Sequence, residues 1–449
     1  MKNLTQKYNV PGPRYTSYPT VPFWNDQEFS KEKWITSFKE TFHLSNQKEG
    51  ISIYIHLPFC ESLCTFCACH KHITKQHDKE SPYIQAVLKE WLLYKSHMNE
   101  TPIIKEIHLG GGTPTFFSPE SLEILMKGIL SNSILHSEYE FSFEGHPNNT
   151  SKEHLITLFN LGFTRVSFGV QDYNENVQNA IHRVQSFEQV KKVTELARNI
   201  GYSSISHDII FGLPHQNLDC VTKTITKTKE LLPDRISFYS YAHVPWIKGV
   251  GQRGFDNNDL PSGKEKRILY EVGKKLLLEL GYVEVGMDHF SLPTDTLFKA
   301  SKNKKLHRNF MGYTSQKTDL MIGLGMSAIS DSWSAFAQNV KTVKEYEMLV
   351  NKGEIPIFRG HILSDIDLEV RQHILNLMCQ FETKWIQNQE IQINKFLLRE
   401  IEQDGLIKSD ALGIQIYEKG KPFVRNVCMA LDQYLLSKEK EQQLFSMTV

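Results

Sequence analysis

The chain has 449 residues, more than one ordinary hydrophobic core needs, which suggests two or three domains unless a barrel takes up most of it. Lys plus Arg (51) equals Asp plus Glu (51), so the formal net charge of zero excludes an overall field that would recruit nucleic acid or an anionic membrane surface. With no apolar signal segment and no run of about 18 apolar residues, we expect a cytoplasmic protein without membrane contact.

Residues 1–48 are predicted to form an N-terminal arm rich in Pro and Tyr, with a short helix near 30–42. Seven runs of β-branched and aromatic residues follow between 49 and 290, each leading through a polar turn into a segment of helical period: ISIYIHL (51–57), IKEIHLG (104–110), YEFSFEG (139–145), FTRVSFGV (163–170), SSISHDII (203–210), RISFYSYA (235–242) and YVEVGMD (282–288). Strands that alternate with helices predict a parallel sheet, and hence an α/β fold with a complete or partial βα barrel.

The predicted helix ends agree with this order. Ser118-Pro119 is an N-cap followed by proline at the first helical position, and residues 150–153 and 186–189 fit the capping box. Glycine stands where three helices can end in a left-handed residue, at Gly162, Gly201 and Gly281.

Two later segments differ from the repeat. The polar loop 243–263 contains a lone Gly-x-Gly, Gly249 and Gly251, which favours a flexible connection over a phosphate site. From 291 to 449 the pattern is mostly helical, and FLLREIEQDGLIKSDALGIQIYEKG predicts a helix and a hairpin that turns at Leu412-Gly413. This resembles a winged-helix module, but without a basic stripe we expect a lid or packing role and no contact with nucleic acid.

Four of the seven cysteines lie within ten residues, in YIHLPFCESLCTFCACHKH (54–72). In a reducing compartment such a cluster is more often a metal or catalytic site than a disulfide. The C-x3-C-x2-C spacing of Cys60, Cys64 and Cys67 favours an iron–sulfur cluster, while zinc with Cys69 as a fourth ligand stays open. Three thiolates leave one iron of a 4Fe–4S cube free, and S-adenosylmethionine could chelate that iron and be cleaved by one electron. The other three cysteines are expected to be packing thiols: Cys220, Cys379 and Cys428.

Functional groups of βα barrels lie at the C-terminal ends of the strands, because the following loops converge there. The predicted strand ends carry the cysteine loop and a further set of candidates: Gly110 to Pro114, Glu144, Gln171, Asp208 and Ala242. Glycines would let the backbone approach a ligand, Glu144 could bind an ammonium or ribose hydroxyls, and Gln171 and Asp208 could bind other polar edges. Each of these residues alone also fits a turn, a helix cap or a solvated position. The prediction of a site therefore depends on their shared location at the C-terminal edge of the sheet.

The cysteine motif is similar to that of the radical S-adenosylmethionine superfamily. Almost end to end, the chain resembles the oxygen-independent coproporphyrinogen III oxidase family within it. The motifs that carry this resemblance are KYNVPGPRYTSYPT, YIHLPFCESLCTFCACHK, HLGGGTPT, RVSFGVQDYN, HDIIFGLP, YAHVP, MDHF with HRNFMGYT, GLGMSAIS and RNVCMALDQYL.

The resemblance implies a partial TIM-like barrel with a mainly helical, winged-helix-like C-terminal domain, a 4Fe–4S cluster and two S-adenosylmethionine molecules. By motif, the cluster ligands would be Cys60, Cys64 and Cys67, and the candidate catalytic residues would be Cys69 and Tyr54. The cluster-bound cofactor would contact Tyr54, Gly111, Glu144 and Ile329. The second would contact Phe66, Gly112, Thr113, Gln171, Arg183, Asp208 and Ala242.

The implied reaction is the oxidative decarboxylation of two propionates of coproporphyrinogen III to the vinyls of protoporphyrinogen IX in heme synthesis. A monomer with an unidentified electron donor and acceptor is expected. Because guanidinium pairs with carboxylates in two-point contacts, Arg14, Arg183 and Arg308 are candidates for holding the four propionates. A structural salt bridge is an equal alternative for Arg14 and Arg308.

Three positions depart from the family pattern. Gly145-His146 stands in place of the usual Val-Asp type, Met311 in place of a common Gln, and Leu431 in place of an aromatic residue. The lost amide at Met311 puts the geometry of the second cofactor or of the substrate in doubt. Two alternatives are a heme-trafficking protein of the same family, against which Cys69 and the arm motif argue, and a radical enzyme that modifies another tetrapyrrole.

Overall fold

The computed structural model describes residues 2–437 and 444–448, apart from residues 26, 247–250 and 387–390. The α-helices are α1 (Lys2–Tyr8), α2 (Lys31–Ser45), α3 (Glu80–Lys95), α4 (Pro119–Leu130), α5 (Lys152–Asn160), α6 (Glu175–Ala180), α7 (Phe187–Ile200), α8 (Leu218–Leu231), α9 (Gly263–Glu279), α10 (Thr296–Lys302), α11 (Val343–Asn351), α12 (Asp365–Gln380), α13 (Lys395–Gln403), α14 (Val424–Met429) and α15 (Gln433–Ser437).

The strands are β1 (Ile51–Leu57), β2 (Phe59–Cys60), β3 (His72–Ile73), β4 (Ile103–Gly111), β5 (Ile134–Gly145), β6 (Phe163–Gln171), β7 (Ser204–Phe211), β8 (Arg235–Ser240), β9 (Val283–Gly286), β10 (His289–Ser291), β11 (His307–Asn309), β12 (Gly312–Thr314), β13 (Met321–Leu324), β14 (Ile329–Asp331), β15 (Ala335–Asn339), β16 (Ile357–Ile362), β17 (Glu382–Lys384), β18 (Ile407–Asp410) and β19 (Gly413–Ile416).

One large sheet dominates, in the order β16-β15-β14-β13-β1-β4-β5-β6-β7-β8-β10-β9. Seven neighbouring strands, from β13 through β1 and β4 to β8, pair in parallel. The sheet order does not close on itself, so the expected βα barrel is partial.

The seventh parallel strand is not the one predicted. The run YVEVGMD contains β9, which pairs antiparallel with β10, and β10 pairs antiparallel with β8. A short hairpin at the sheet edge therefore holds this segment, because its turn follows within three residues and leaves no room for a crossover. The seventh parallel place belongs to β13, far along the chain, beside β1.

Alternation along β1 explains how the core and the barrel interior are separated. Ile51, Ile53 and Ile55 are fully buried in the largest apolar cluster, which also contains Trp34 of α2 and Trp91 of α3. The intervening side chains point into the barrel, where Ser52 Oγ donates to Glu106 Oε2 at 3.0 Å. Period-two alternation thus gives β1 an apolar outer face and a polar inner face.

Buried ion pairs occupy the barrel interior near the N-terminal ends of β6 and β8. Arg235 Nε donates to Asp295 Oδ1 at 2.6 Å, and both residues are buried. Arg165 pairs with Glu140 of the neighbouring strand. Each of these buried cations faces a carboxylate, as burial of charge requires.

Most predicted helix ends are confirmed. Ser118 accepts from Ser121 N with Pro119 at the first helical position, and Gly162, Gly201 and Gly281 have φ values of 95°, 118° and 90°. The capping box predicted at 150–153 is wrong by one residue.

Ser151 caps α5 and pairs reciprocally with His154. The Thr150 hydroxyl is used elsewhere, since it donates to His146 O. At α7, Ser186 accepts from Gln189 N as predicted, but the Gln189 side chain donates to Pro147 O, so only half of that box forms.

The regions that flank the barrel agree in part with expectation. The arm helix is α2, capped by Ser30. Between residues 291 and 362 the chain contains more strand than the mostly helical pattern expected, and β13 to β16 extend the large sheet. The boundaries at 48 and 290 stay predictions.

From Asp365 onward helices dominate, and α13 with the antiparallel sheet β17-β19-β18 forms the expected winged-helix-like unit. The prediction on Gly249 lies outside the described residues. Within the described part of the chain, no helix has the length and apolarity needed to cross a bilayer.

Glu90 of α3 fastens the added strands to the barrel. Its fully buried carboxylate accepts from Gly325 N, Asn339 Nδ2 and Tyr346 Oη at 2.8, 2.7 and 2.5 Å. Burial raises its pKa from 4.5 to about 7, against these three hydrogen bonds, which each lower it. The folded chain therefore binds this proton more tightly than the unfolded chain.

We expect Glu90→Gln to remove a pH dependence of stability. A raised pKa in the folded state means that stability is lost as pH rises from 4.5 to about 7. The free energy of unfolding of the variant, relative to the wild type, should therefore increase across this window by about 1–3 kcal/mol. Urea unfolding measured at several pH values tests this, with the exposed Glu123→Gln on α4 as control. Parallel curves for Glu90→Gln and the wild type would refute it.

Candidate active site

Backbone hydrogen bonds hold the cysteine loop, residues 58–72, at the C-terminal edge of the sheet. Gly112 N donates to Leu57 O at 2.8 Å and Thr113 N donates to Phe59 O at 3.0 Å, so the β1–β4 pairing continues beyond the strand. The pairing of β2 with β3 closes the loop at its base. Farther out, Thr65 N donates to Ile181 O at 3.0 Å.

A first cavity, here called the cysteine cavity, has a volume of about 180 Å³. All four clustered cysteines line it, together with residues that lie in or after β4, β5, β6 and β7. Those used below are Gly112, Thr113, His146, Gln171, Arg183 and Asp208.

A second cavity, here called the tyrosine cavity, has a volume of about 400 Å³ and is lined by Tyr54 and His56 of β1. It shares Cys69, Gly111 and Glu144 with the cysteine cavity. The two cavities are therefore neighbours across these three residues.

The two predicted cofactor sets divide between the two cavities, except that Gly111 and Glu144 line both. Every residue expected at the first cofactor lines the tyrosine cavity: Tyr54, Gly111, Glu144 and Ile329. Six of the seven residues expected at the second cofactor line the cysteine cavity: Phe66, Gly112, Thr113, Gln171, Arg183 and Asp208.

Ala242 is the residue that neither lining includes. It follows β8, and its carbonyl accepts from Gln252 Nε2 at 2.7 Å, while the same amide donates to Phe66 O at 3.3 Å. Ala242 is thus connected to the cysteine loop through Gln252.

Charged side chains give the cysteine cavity a mixed polarity. Arg183 Nη2 donates to Gly169 O at 2.8 Å and its Nη1 lies 3.7 Å from Cys64 Sγ. Burial, followed by the charge of Glu144, raises the pKa of Asp208 to about 6. Burial, with the positive charge of Arg183, lowers the pKa of His146 to about 2, so this imidazole is neutral.

The thiols differ in acidity. Burial raises the pKa of Cys60 to about 11, against the opposing hydrogen bond from Thr113 Oγ1 at 3.3 Å. A hydrogen bond between Cys67 and Cys69 lowers the pKa of Cys67 and raises that of Cys69. Lys71 also lowers the pKa of Cys67, and its Nζ donates to Cys67 O at 3.2 Å.

Two histidines that the sequence reasoning did not single out organise the tyrosine cavity. His56 Nδ1 lies 3.0 Å from Tyr54 Oη, and its Nε2 lies 2.8 Å from His70 O. A carbonyl only accepts, so Nε2 carries the proton and Nδ1 accepts from the tyrosine. His108 stacks on Tyr54 and hydrogen-bonds Ser142 Oγ at 2.8 Å. Both histidines share the inward alternation of β1 and β4, which was a usable signal.

Arg359 and Gln338 also line the tyrosine cavity, and Arg359 Nε donates to Gln338 Oε1 at 2.8 Å. No local motif pointed to these residues. They come from β15 and β16, whose place beside β14 follows from long-range pairing.

The residues present fit an iron–sulfur cluster with a polar ligand. Three thiols in one cavity are the donors that such clusters use. Gln171 Oε1 is buried without a partner and lies in a strained backbone with φ of 67°. Among the described residues, no group of three His, Cys, Asp or Glu side chains is placed so that it could hold a single metal ion.

The candidate arginines have different surroundings. Arg14 Nη2 pairs with Asp288 Oδ2 at 2.6 Å, and its side chain is 30% exposed. Arg308 is buried and donates to two carbonyls of the arm, Tyr15 O and Arg14 O, both at 3.2 Å. Arg308 thus has a structural role, while Arg183 lines the cysteine cavity.

The three departures from the family pattern lie in different places. Met311 lines the tyrosine cavity, His146 lines the cysteine cavity, and Leu431 is fully buried in the C-terminal core. The first two can thus affect ligand geometry, whereas Leu431 affects packing.

Comparison with known proteins agrees with this arrangement. The radical SAM superfamily profile matches residues 54–227. Curated relatives include oxygen-independent coproporphyrinogen III oxidases from Synechocystis sp. (36% identical, covering 99% of this chain and 97% of the relative) and Helicobacter pylori (38%, 97% and 96%). The solved structure of coproporphyrinogen III oxidase from Escherichia coli, described as a radical SAM enzyme, has a TM-score of 0.88 at 34% identity and covers 94% and 98% of the two chains.

We expect Gly112→Ala to push the cysteine loop away from β4. An added Cβ would lie 2.4 Å from Pro58 O, and this oxygen belongs to the backbone, so it cannot rotate away as a side chain could. Overpacking of this kind should lower the free energy of unfolding by about 2 kcal/mol. Hydrogen exchange should also become faster at the amides of residues 112 and 113, which donate to Leu57 O at the end of β1 and to Phe59 O in the loop.

Gly263→Ala is the matched control, because its Cβ would meet only the end of the Asn9 side chain at 3.1 Å. Equal stability and exchange in Gly112→Ala and this control would show that the loop tolerates the methyl group.

Proposed function

Because the chain belongs to the oxygen-independent coproporphyrinogen III oxidase family of radical S-adenosylmethionine proteins, we propose that it oxidatively decarboxylates two propionates of coproporphyrinogen III to the vinyls of protoporphyrinogen IX. The observation that carries the proposal is the pair of adjoining cavities, in which the cysteine motif and the strand-end residues come together. Full-length similarity to curated relatives supports the same activity.

In this proposal Cys60, Cys64 and Cys67 hold a 4Fe–4S cluster. When bound, the cluster and S-adenosylmethionine supply a one-electron cleavage whose radical product can take hydrogen from an unactivated carbon. Each propionate then loses a hydrogen from its β-carbon, one electron and carbon dioxide, which leaves a vinyl group. The one-electron balance requires an external donor and acceptor, whose identities stay open.

The chain's own residues bind and orient the reactants. Gly111 has a φ of 112°, and its missing side chain leaves space beside the His56 ring, so the backbone can approach the first cofactor closely. Glu144, which borders both cavities, is proposed to bind that cofactor's polar groups. Tyr54 presents its hydroxyl to His56, which fixes the ring orientation next to Cys69. Tyr54 and Cys69 are the proposed catalytic residues.

A second S-adenosylmethionine is proposed in the cysteine cavity. Phe66, Gly112 and Thr113 would contact it from the cysteine loop and the β4 end. Gln171 offers an unpartnered carboxamide oxygen, and Asp208 offers a carboxyl on the neighbouring strand. Arg183 and Ala242 complete the proposed set.

We also propose a cytoplasmic monomer. The division into an arm (1–48), a barrel (49–290) and a C-terminal domain (291–449) belongs to this proposal too. The heme-trafficking alternative keeps the cysteines, but the curated relatives that match nearly the full length are named as oxidases.

We expect anaerobic incubation of the reconstituted protein with coproporphyrinogen III, S-adenosylmethionine and a reductant to give vinyl product and carbon dioxide. Cys60→Ser, Cys64→Ser and Cys67→Ser should each lose the cluster, measured as iron and labile sulfide, and with it all turnover. Cys69→Ser should keep the iron and lower kcat, because Cys69 is a proposed catalytic residue and not a cluster ligand.

Cys220→Ser is the matched control, since this thiol is buried away from the cavities and no role is proposed for it. Stable heme binding without vinyl product would favour the trafficking alternative. Zinc without iron or sulfide would exclude radical chemistry altogether.

We expect the cluster-loaded protein to bind two S-adenosylmethionine molecules per chain in anaerobic equilibrium dialysis. Asp208→Asn combined with Gln171→Ala should reduce the count to one and leave reductive cofactor cleavage without substrate unchanged. The exposed Asp219→Asn is the control. A count of one in the wild type would contradict the second site.

A further inference from the structure

Four cations and a carboxylate lie close together where the arm meets the barrel mouth. They are Arg14 and the side chains of Lys266, Arg308 and Arg425, and the carboxylate is Asp288. We call these five residues the mouth cluster. Arg308 and Arg425 are buried, and Lys266 is half-buried at the start of α9.

Two of these cations position the arm. Arg425 donates to the carbonyls of Gly12, Pro13 and Met447, with Nε to Pro13 O at 2.7 Å. Arg308 donates to the next two carbonyls, those of Arg14 and Tyr15. Their donors are used on neutral backbone oxygens, so their positive charges are not neutralised by these contacts.

The other two cations keep donors that their contacts do not use. Arg14 gives Nη2 to Asp288 and keeps part of its guanidinium exposed. Lys266 Nζ donates to one carbonyl, Tyr241 O at 2.5 Å, and an ammonium has three donors. Burial, followed by the charges of Arg14 and Arg425, lowers the pKa of Lys266 to about 8 against the opposing charge of Asp288.

The cluster adjoins the active site. The Arg14 guanidinium lies over the Tyr239 ring, 5.9 Å from its centroid. Tyr239 is on β8, next to β7, which carries Asp208 of the cysteine cavity. The charges of Asp208, Arg14 and Arg308 all act on the Tyr239 hydroxyl. An extended ligand could therefore reach both sites.

We infer that the mouth cluster is a carboxylate-binding site, in which Arg14 and Lys266 bind a propionate of the tetrapyrrole substrate. This rests on the proposed function, because that substrate carries four carboxylates on one macrocycle. Four cations beside one paired carboxylate leave excess positive charge in a partly buried site, which is costly without an anion. A carboxylate that pairs with guanidinium and ammonium supplies that anion. Asp288 holds Arg14 in place until the ligand arrives.

The test measures equilibrium binding rather than turnover. The stable aromatic analogue coproporphyrin III is titrated anaerobically by fluorescence quenching. Arg14→Gln and Lys266→Met should each raise Kd by at least about tenfold, the scale of one lost charge-assisted contact. Lys266→Arg keeps the charge and should stay within about threefold of the wild type. Lys275→Met removes an exposed charge from the same helix and should have no effect.

Asp288→Asn separates carboxylate binding from a structural role. Removing the competing carboxylate frees Arg14, so the Kd for coproporphyrin III should fall or stay unchanged. If the pair only held the arm, Asp288→Asn would weaken binding as much as Arg14→Gln does, and this result would overturn the inference. Wild-type Kd in both Arg14→Gln and Lys266→Met would overturn it too.

The same variants titrated with S-adenosylmethionine identify the source of the carboxylate. Unchanged cofactor binding supports the substrate propionate, whereas loss of cofactor binding alone overturns the inference. Failure of the proposed function looks different: the wild type would form no vinyl product, and the coproporphyrin III titrations would still report on the mouth cluster.

Discussion

Parallel pairing on both sides of β1 is the constraint on which the site depends. β4 on one side and β13 on the other run in the direction of β1, so the chain leaves all three strands at the same edge. The ladder between β1 and β4 then continues into the loop through Gly112 N and Thr113 N. A bulky residue at 112 would collide with Pro58 O, and glycine there is what allows the cysteine loop to lie against the sheet. The pairing of β1 with β4 therefore determines where the thiols of the cysteine loop lie.

Because the loop is fixed in this way, a few residues separate the two cavities. Cys69, Gly111 and Glu144 border both the cysteine cavity and the tyrosine cavity. In the proposed chemistry, a radical formed in one cavity has to reach its target over a short distance, because water in its path would allow side reactions. Two cavities that share a wall keep that distance short.

Local sequence patterns correctly predicted the features that depend on neighbouring residues, such as strands and helix ends. The run ISIYIHL forms strand β1 as predicted, and the glycines after three helices adopt positive φ as expected. The prediction of the seventh parallel strand was wrong. YVEVGMD has the strand propensity that the prediction used, but a tight turn pairs it antiparallel with β10. The strand that takes the seventh parallel place is β13, which lies about 270 residues from β1 in sequence. Local composition does not predict a pairing between segments so far apart in the chain. Arg359 was missed for the same reason, whereas His56 and His108 were visible in the alternation.

Buried cations have different partners at the two ends of the barrel. This difference distinguishes charges that stabilise the fold from charges that can bind a ligand. Near the N-terminal strand ends, Arg235 faces Asp295 and Arg165 faces Glu140, so each cation has its own carboxylate. At the mouth, Arg308 and Arg425 are as deeply buried as Arg235 but face backbone carbonyls. These hydrogen bonds hold the arm, but they leave the buried positive charge without a carboxylate partner, and such charge costs free energy in the empty protein. An anionic substrate would offset this cost, because the same charges that oppose folding then favour binding.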